Sequence, residues 1–265
     1  MRLEPIDDAA DARVADYRAL VRPGRGRRQD VFVVEGLRAL RLLLASRFRT
    51  RSLLVTPSAL DRLRDELARL DGAVPVYTAS HATLREITGF DFHGGHLALG
   101  ERAPEPALAD LLRPAGDRVV VVMERLGNPD NVGGVLRNAA AFGAAAALLS
   151  PGCADPLYRR AIRVSMGGAL VVPFATLADW PRDLDRLRDA GYTLVALTPR
   201  ADATDIATVS ARRVALLVGH ESDGLGTSAL AAADVTARIA MSPSADSLNA
   251  AAASAVALHR LTAWR

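Results

Sequence analysis

The 265 residues contain no lysine, so all 33 basic residues are arginine. A phosphate-binding loop of the kind that depends on a lysine is therefore excluded. A single cysteine, Cys153, rules out an internal disulfide framework and fits a reducing compartment. No group of His and Cys has zinc-ligand spacing, so no metal site is expected. No apolar stretch reaches the uninterrupted length needed to cross a bilayer. The opening MRLEPIDDAADAR has acids where a signal peptide has an apolar block. The expectation is a soluble, cytoplasmic protein with no membrane partner. The G-x-G-x-x-G fingerprint and its downstream ribose-binding acid are also missing, which argues against a nicotinamide-dependent oxidoreductase on a Rossmann sheet.

Half of the chain is hydrophobic, enough to bury the core of one large or two modest domains. The formal charge is only +3, but its placement is uneven. Arg18, Arg22, Arg25, Arg27, Arg28, Arg38, Arg41, Arg47, Arg49 and Arg51 lie in one stretch, with Asp30 and Glu35 as the opposing charges inside it. Arginine binds phosphate through a planar, permanently charged fork. Such a surface suits a polyanion such as nucleic acid; the alternative, which this feature alone favours, is a solvated face on an arginine-rich protein.

Along the chain, Val14, Tyr17, Leu20 and Val21 have helical spacing, and PGRGRRQ then breaks the pattern. DVFVVEG, SLLVT, VPVYTA and HLALGER predict strands, separated by helices in LRALRLLLAS, SALDRLRDELARL and SHATLREITG. This alternation predicts a small α/β domain over residues 1–102. Residues 103–116, rich in proline, predict a linker. From 117 to 265 the rhythm resumes with greasier strands in RVVVVMERL, AAAALLS, ALVVPFA, YTLVALT, VALLVG and VTARIA, as in a mainly parallel sheet buried on both faces.

Ligands bind beyond the carboxyl ends of strands in such sheets, and three stretches place polar and glycine residues there. NPDNVGGVLRNAAAFGA, Asn128 to Ala144, follows a run of valines; Asn128 and Asn131 could cap a helix, and Arg137 lies within it. LLVGHESDGLG follows a buried strand that ends at Gly219, and leaves the acid Glu221 with little packing purpose. IAMSPSADSLNAAAASAVALHRL offers Ser247 as an N-cap to an alanine-crowded helix, whose small residues permit close approach of another helix or subunit.

In this order and spacing the three stretches resemble the SpoU, or TrmH, family of RNA 2′-O-ribose methyltransferases in the SPOUT superfamily. Asn131 to Arg137 resembles the family's first motif, Gly219-x-Glu221-x-x-Gly224-Leu225 the second, and Ile239-x-Met241 with Ser247-Leu248-Asn249 the third. RVSMGGALVVPF is similar to an intervening family segment. The front domain resembles, more loosely, a ribosomal-protein-L30e-like RNA-binding domain. Ala240 and Ala250 depart from the commoner proline and valine, changes expected to alter packing and leave the chemistry.

The resemblance implies a C-terminal α/β trefoil-knot domain that binds S-adenosylmethionine through Gly219, Ile239, Met241 and Leu248. It implies catalysis by Arg137, aided by Asn131, Glu221, Ser247 and Asn249, and RNA contacts by Arg22, Arg25, Arg27 and Arg28. A guanidinium is too weak an acid to serve readily as a base, so Arg137 is expected to orient the ribose hydroxyl or an adjacent phosphate. A homodimer, with ribosomal RNA ahead of tRNA as substrate, is implied too. A resistance enzyme methylating rRNA has the same plan, and a knot protein that binds RNA without catalysis is the remaining rival.

Overall fold

The computed structural model describes residues 2–21, 30–89, 94–113, 116, 118–242 and 244–262. Two compact units divide the chain: residues 1–104 with 157–170, and residues 105–156 with 171–265.

The first unit is built on a five-stranded sheet of β1 (Arg2–Ile6), β2 (Val31–Glu35), β3 (Thr50–Val55), β4 (Pro75–Ala79) and β5 (His96–Glu101), ordered β1-β4-β3-β5-β2. The first three are parallel, and β5 runs antiparallel to both β3 and β2. β1 is absent from the sequence pattern, because RLEPI alternates poorly and carries a proline. It is an edge strand, the place where a proline without an N–H is tolerated in a sheet. Val14 and Tyr17 pack into the core with Val33, Leu54, Leu97 and Leu99, and the buried Tyr17 hydroxyl meets Ser52 Oγ at 2.9 Å. The stretch SALDRLRDELARL is a broken helix, with a 3-10 turn at Asp61–Leu63 between Pro57–Leu60 and Arg64–Ala68.

Residues 157–170, expected with the second domain, group with the first unit. Arg159 there forms an ion pair with Glu35 at the end of β2, with Nε at 2.6 Å. Gly167 adopts φ +84, where a side chain is strained, and its bare Cα lets the turn rest on the Leu37–Leu44 helix, where a Cβ would lie 3.4 Å from Ala39 Cα.

Among the described residues the second unit holds seven strands: β6 (Arg118–Met123), β7 (Ala146–Leu149), β8 (Phe174–Thr176), β9 (Thr193–Leu197), β10 (Thr204–Asp205), β11 (Arg213–Val218) and β12 (Val235–Arg238). Their order is β10-β12-β9-β11-β6-β7-β8, and every pairing is parallel. All carboxyl ends therefore share one edge. The central strands β6 and β11 are apolar on both faces because helices cover both. ALVVPFA, expected as one strand, is split: Gly168–Val171 is helical and the strand begins at Phe174. The segment expected as a linker contributes the helix Leu108–Leu112, whose Leu108 and Leu112 are buried in the second unit's core.

Candidate active site

β6 ends at Met123, and the chain turns into the helix Pro129–Ala141. Asn128 caps that helix, its Oδ1 accepting the Asp130 N–H at 2.9 Å, and Pro129 occupies the first turn, where its missing N–H costs nothing. Asn131 belongs to the helix proper and is 5% exposed. Its Nδ2 donates to Glu221 Oε1 at 2.5 Å, and its Oδ1 accepts from Asn249 Nδ2 at 2.8 Å. One residue from each of the three sequence motifs thus joins a single hydrogen-bonded chain. A buried amide needs both its donor and its acceptor satisfied, and here both are.

Asn249, rather than Ser247, caps the Ala250–Thr262 helix: its Oδ1 accepts the N–H groups of Ala251 at 2.9 Å and Ala252 at 3.3 Å. Ser247 is exposed two residues earlier. The capped helix packs on Pro129–Ala141 through small residues, with Gly134 against Ala251. Asn138 extends the seam by donating to the Ala251 carbonyl at 2.6 Å and to Ser254 Oγ at 2.9 Å.

A cavity of about 360 Å³ lies at the carboxyl ends of β9, β11 and β12, within the size range of small-molecule and cofactor sites. Six of the expected residues line it: Gly219, Glu221, Ile239, Met241, Ser247 and Leu248. Gly219 has a steric reason to be glycine, since a Cβ there would lie 2.2 Å from the Gly224 carbonyl carbon. That approach closes a tight loop, with His220 N–H to Gly224 O at 3.0 Å and Gly224 N–H to His220 O at 2.9 Å. Gly224 completes it at φ +66, where a side chain would be strained.

The loop also orders two residues that no motif singles out. His220 Nδ1 accepts the Ser222 N–H at 3.2 Å, and its Nε2 lies 3.5 Å from Glu221 Oε2. The Glu221 carboxylate is therefore held by Asn131, with the His220 ring beside its other oxygen. Glu124, directly after β6, is 3% exposed and accepts the Gly226 N–H at 2.7 Å and the Trp180 indole N–H at 3.1 Å. These donors compensate a buried carboxylate and tie the first motif's turn to the end of the second. The β9 end adds Thr198, Pro199 and Arg200 to the cavity wall, a contribution that the shared edge of the parallel strands could have signalled.

Arg137 is exposed, does not line the cavity, and makes no hydrogen bond or ion pair with the described residues. Arg22, Arg25, Arg27 and Arg28 lie outside the described residues. Several other arginines of the basic stretch are engaged within the first unit. Arg18 binds the carbonyls of Ala9, Ala10 and Asp11, Arg41 pairs with Glu66, and Arg51 meets Asp16 and Asp30. Folding thus brings in Asp16 and Glu66, acids from outside the stretch, to offset its charge. Among the described residues no group of His, Cys, Asp and Glu could hold a metal, and no helix is long and apolar enough to cross a membrane.

Residues 118–259 match the SpoU rRNA Methylase family. The chain belongs to that family. It is 41% identical, over 98% of its own length and 92% of the relative's, to an uncharacterized tRNA/rRNA methyltransferase of Mycobacterium tuberculosis. Among solved structures, an rRNA methyltransferase from Sinorhizobium meliloti with AdoMet bound superposes with a TM-score of 0.82 at 25% identity, covering 98% of this chain and 97% of that one. An RNA 2′-O ribose methyltransferase superposes with a TM-score of 0.79 at 29% identity, over 97% and 98% of the two chains.

Proposed function

We propose that this SpoU-family chain is an S-adenosylmethionine-dependent RNA 2′-O-ribose methyltransferase acting on ribosomal RNA. The observation that carries this reading is the Asn249–Asn131–Glu221 chain running beside the cavity at the carboxyl edge of the parallel sheet. The cofactor fits that cavity. Ile239, Met241 and Leu248 offer apolar cover to an adenine ring, and the Gly219–Leu225 loop offers backbone groups to its polar edge. When bound, it supplies an electrophilic methyl on a sulfonium.

The residues around it must then align a weak nucleophile, the ribose hydroxyl, and stabilise loss of its proton. Glu221, held at one oxygen by Asn131, is a carboxylate at the cavity wall and suits a ligand that carries positive charge. Arg137, exposed and with no partner among the described residues, is free to orient the hydroxyl or a neighbouring phosphate. The front unit would serve as the L30e-like RNA-binding part, presenting Arg22, Arg25, Arg27 and Arg28. A trefoil knot in the second unit, a homodimer and a cytoplasmic location complete the proposal.

The test is to map 2′-O-methyl groups in total RNA from cells with and without the gene, and to repeat the transfer with purified protein. A single rRNA ribose that loses its methyl supports the proposal. A site in tRNA would move the substrate, and methylation on a base would overturn the reaction.

A further inference from the structure

Arg125 and Met166 are the non-glycine residues with positive φ among the described residues. Met166 has an internal reason. It closes the Arg159–Val164 helix, with its N–H on Arg163 O at 3.1 Å and the Gly167 N–H on Ile162 O at 3.0 Å, the pairing that ends helices in the left-handed region.

Arg125 ends no helix. It sits at φ +52 two residues past β6, where the chain is clasped to the loop after β7. Ser150 N–H donates to Met123 O at 2.9 Å, Arg125 N–H to Ser150 Oγ at 2.9 Å, and Ala154 N–H to Leu126 O at 2.8 Å. These bonds over-determine the backbone and hold it in a conformation that costs energy for any residue with a Cβ and nothing for glycine. The side chain returns no compensation: it is exposed and makes no hydrogen bond or ion pair with the described residues. A cation aimed outward from a strained backbone, at the sheet edge that carries the cavity, is the pattern expected where strain serves a ligand. β6 is the immediate neighbour of β11, whose end forms the cavity wall.

We infer that Arg125 is an RNA-backbone contact, a phosphate-binding residue on the β6 side of the cavity. This rests on the RNA substrate proposed above. Phosphate contacts fix register and carry no sequence information, so Arg125 would position the strand whose ribose reaches the cavity.

The test is binding of deproteinised bacterial ribosomal RNA by the full-length protein across a salt series, with S-adenosylhomocysteine affinity and Tm measured alongside. Arg125→Gly is the informative variant, because glycine accepts the backbone conformation. It should keep cofactor affinity, hold Tm within about 2 °C, weaken RNA binding about 5- to 10-fold, and lower the slope of log affinity against log salt by about one. Arg125→Lys should recover most of the slope. Unchanged RNA affinity and slope in Arg125→Gly would overturn the inference, as would a parallel loss of cofactor affinity, which would mark a role in building the loop. Wild-type protein that binds rRNA but transfers no methyl would defeat the proposed reaction and leave Arg125 standing; wild type that binds no rRNA would defeat both.

Discussion

Asn249 donates its side-chain N–H to Asn131 Oδ1 at 2.8 Å across 118 residues of sequence, while its own Oδ1 caps the last helix. The two ends of one amide thus do different work. The oxygen starts the Ala250–Thr262 helix, and the nitrogen fixes Asn131, which in turn fixes Glu221. Helix capping and site geometry can therefore be separated at this residue.

Asn249→Asp keeps the capping oxygen and removes the donor. A cap contributes about 1 kcal/mol, and aspartate serves as well as asparagine. The cap is therefore kept, the loss of stability is confined to the stranded Asn131 Oδ1, about 1–3 kcal/mol, and methyl transfer falls at least about tenfold. Asn131→Ala breaks both bonds, but its partners Glu221 and Asn249 are exposed and turn to water, so it should cost about 1–3 kcal/mol through the two lost hydrogen bonds and at least as much methyl transfer. Equal activity in Asn249→Asp and wild type would show that the chain is structural only.

Arg137→Ala should lose activity without losing stability. The side chain is exposed and has no partner among the described residues, so the fold should change by less than about 0.5 kcal/mol. Cofactor binding, read by calorimetric titration of S-adenosylhomocysteine, should persist, and methyl transfer should be lost. Undiminished turnover would remove Arg137 from the mechanism.

Gly219→Ala tests the cavity loop. The added methyl meets backbone atoms of Gly224 and Leu225 at 2.2 and 2.3 Å, which cannot rotate away. Overpacking of this kind costs about 1–3 kcal/mol. S-adenosylhomocysteine affinity should fall by more than tenfold, and the variant should lose the thermal shift that ligand confers on wild type. A normal dissociation constant would mean that the loop opens without consequence.

Burial holds the His96 imidazole below its ordinary value near 6.5, because the charged ring is poorly solvated there. The folded state therefore binds that proton less readily than the unfolded chain. The stability linked to His96 is complete above about 6.5 and is lost as pH falls from there through the depressed folded value. Urea midpoints between pH 7.5 and 5 should decline in wild type, and His96→Gln should flatten part of the decline. An unchanged slope would show that other groups govern acid sensitivity.

How much of this was legible depends on whether the signal is local. β6, β9, β11 and β12 could be read as apolar runs between helices. ALVVPFA could not be resolved, since an apolar run looks alike in a short helix and a buried strand; Ser165 Oγ accepting the Ala169 N–H at 3.3 Å helps set the helical half. In the site, glycines and an unexplained acid marked the loops. The pairing of Asn131 with Glu221, 90 residues apart, had no local trace. Glu124 and Arg125 escaped notice because neither type nor spacing distinguishes a buried carboxylate or a positive φ.

Gly134 presents the sharpest balance of opposing effects. Replacing a glycine inside a helix by alanine should gain about 1 kcal/mol from backbone entropy. Here the new Cβ would lie 2.5 Å from Ala251 Cβ, well inside the 3.5–4 Å at which carbon atoms attract. The two helices must separate, and their separation would stretch the Asn138–Ala251 and Asn249–Asn131 bonds together. Overpacking at about 1–3 kcal/mol outweighs the propensity gain, so Gly134→Ala should lower both Tm and turnover. Adding Ala251→Gly moves the methyl from one helix to the other and should restore most of each. Position 251 lies in the first turn, where the glycine penalty is smaller than in the helix interior. A single Gly134→Ala variant more stable than wild type would mean that the seam is loose, and that the hydrogen-bonded chain at the active site does not depend on close helix contact.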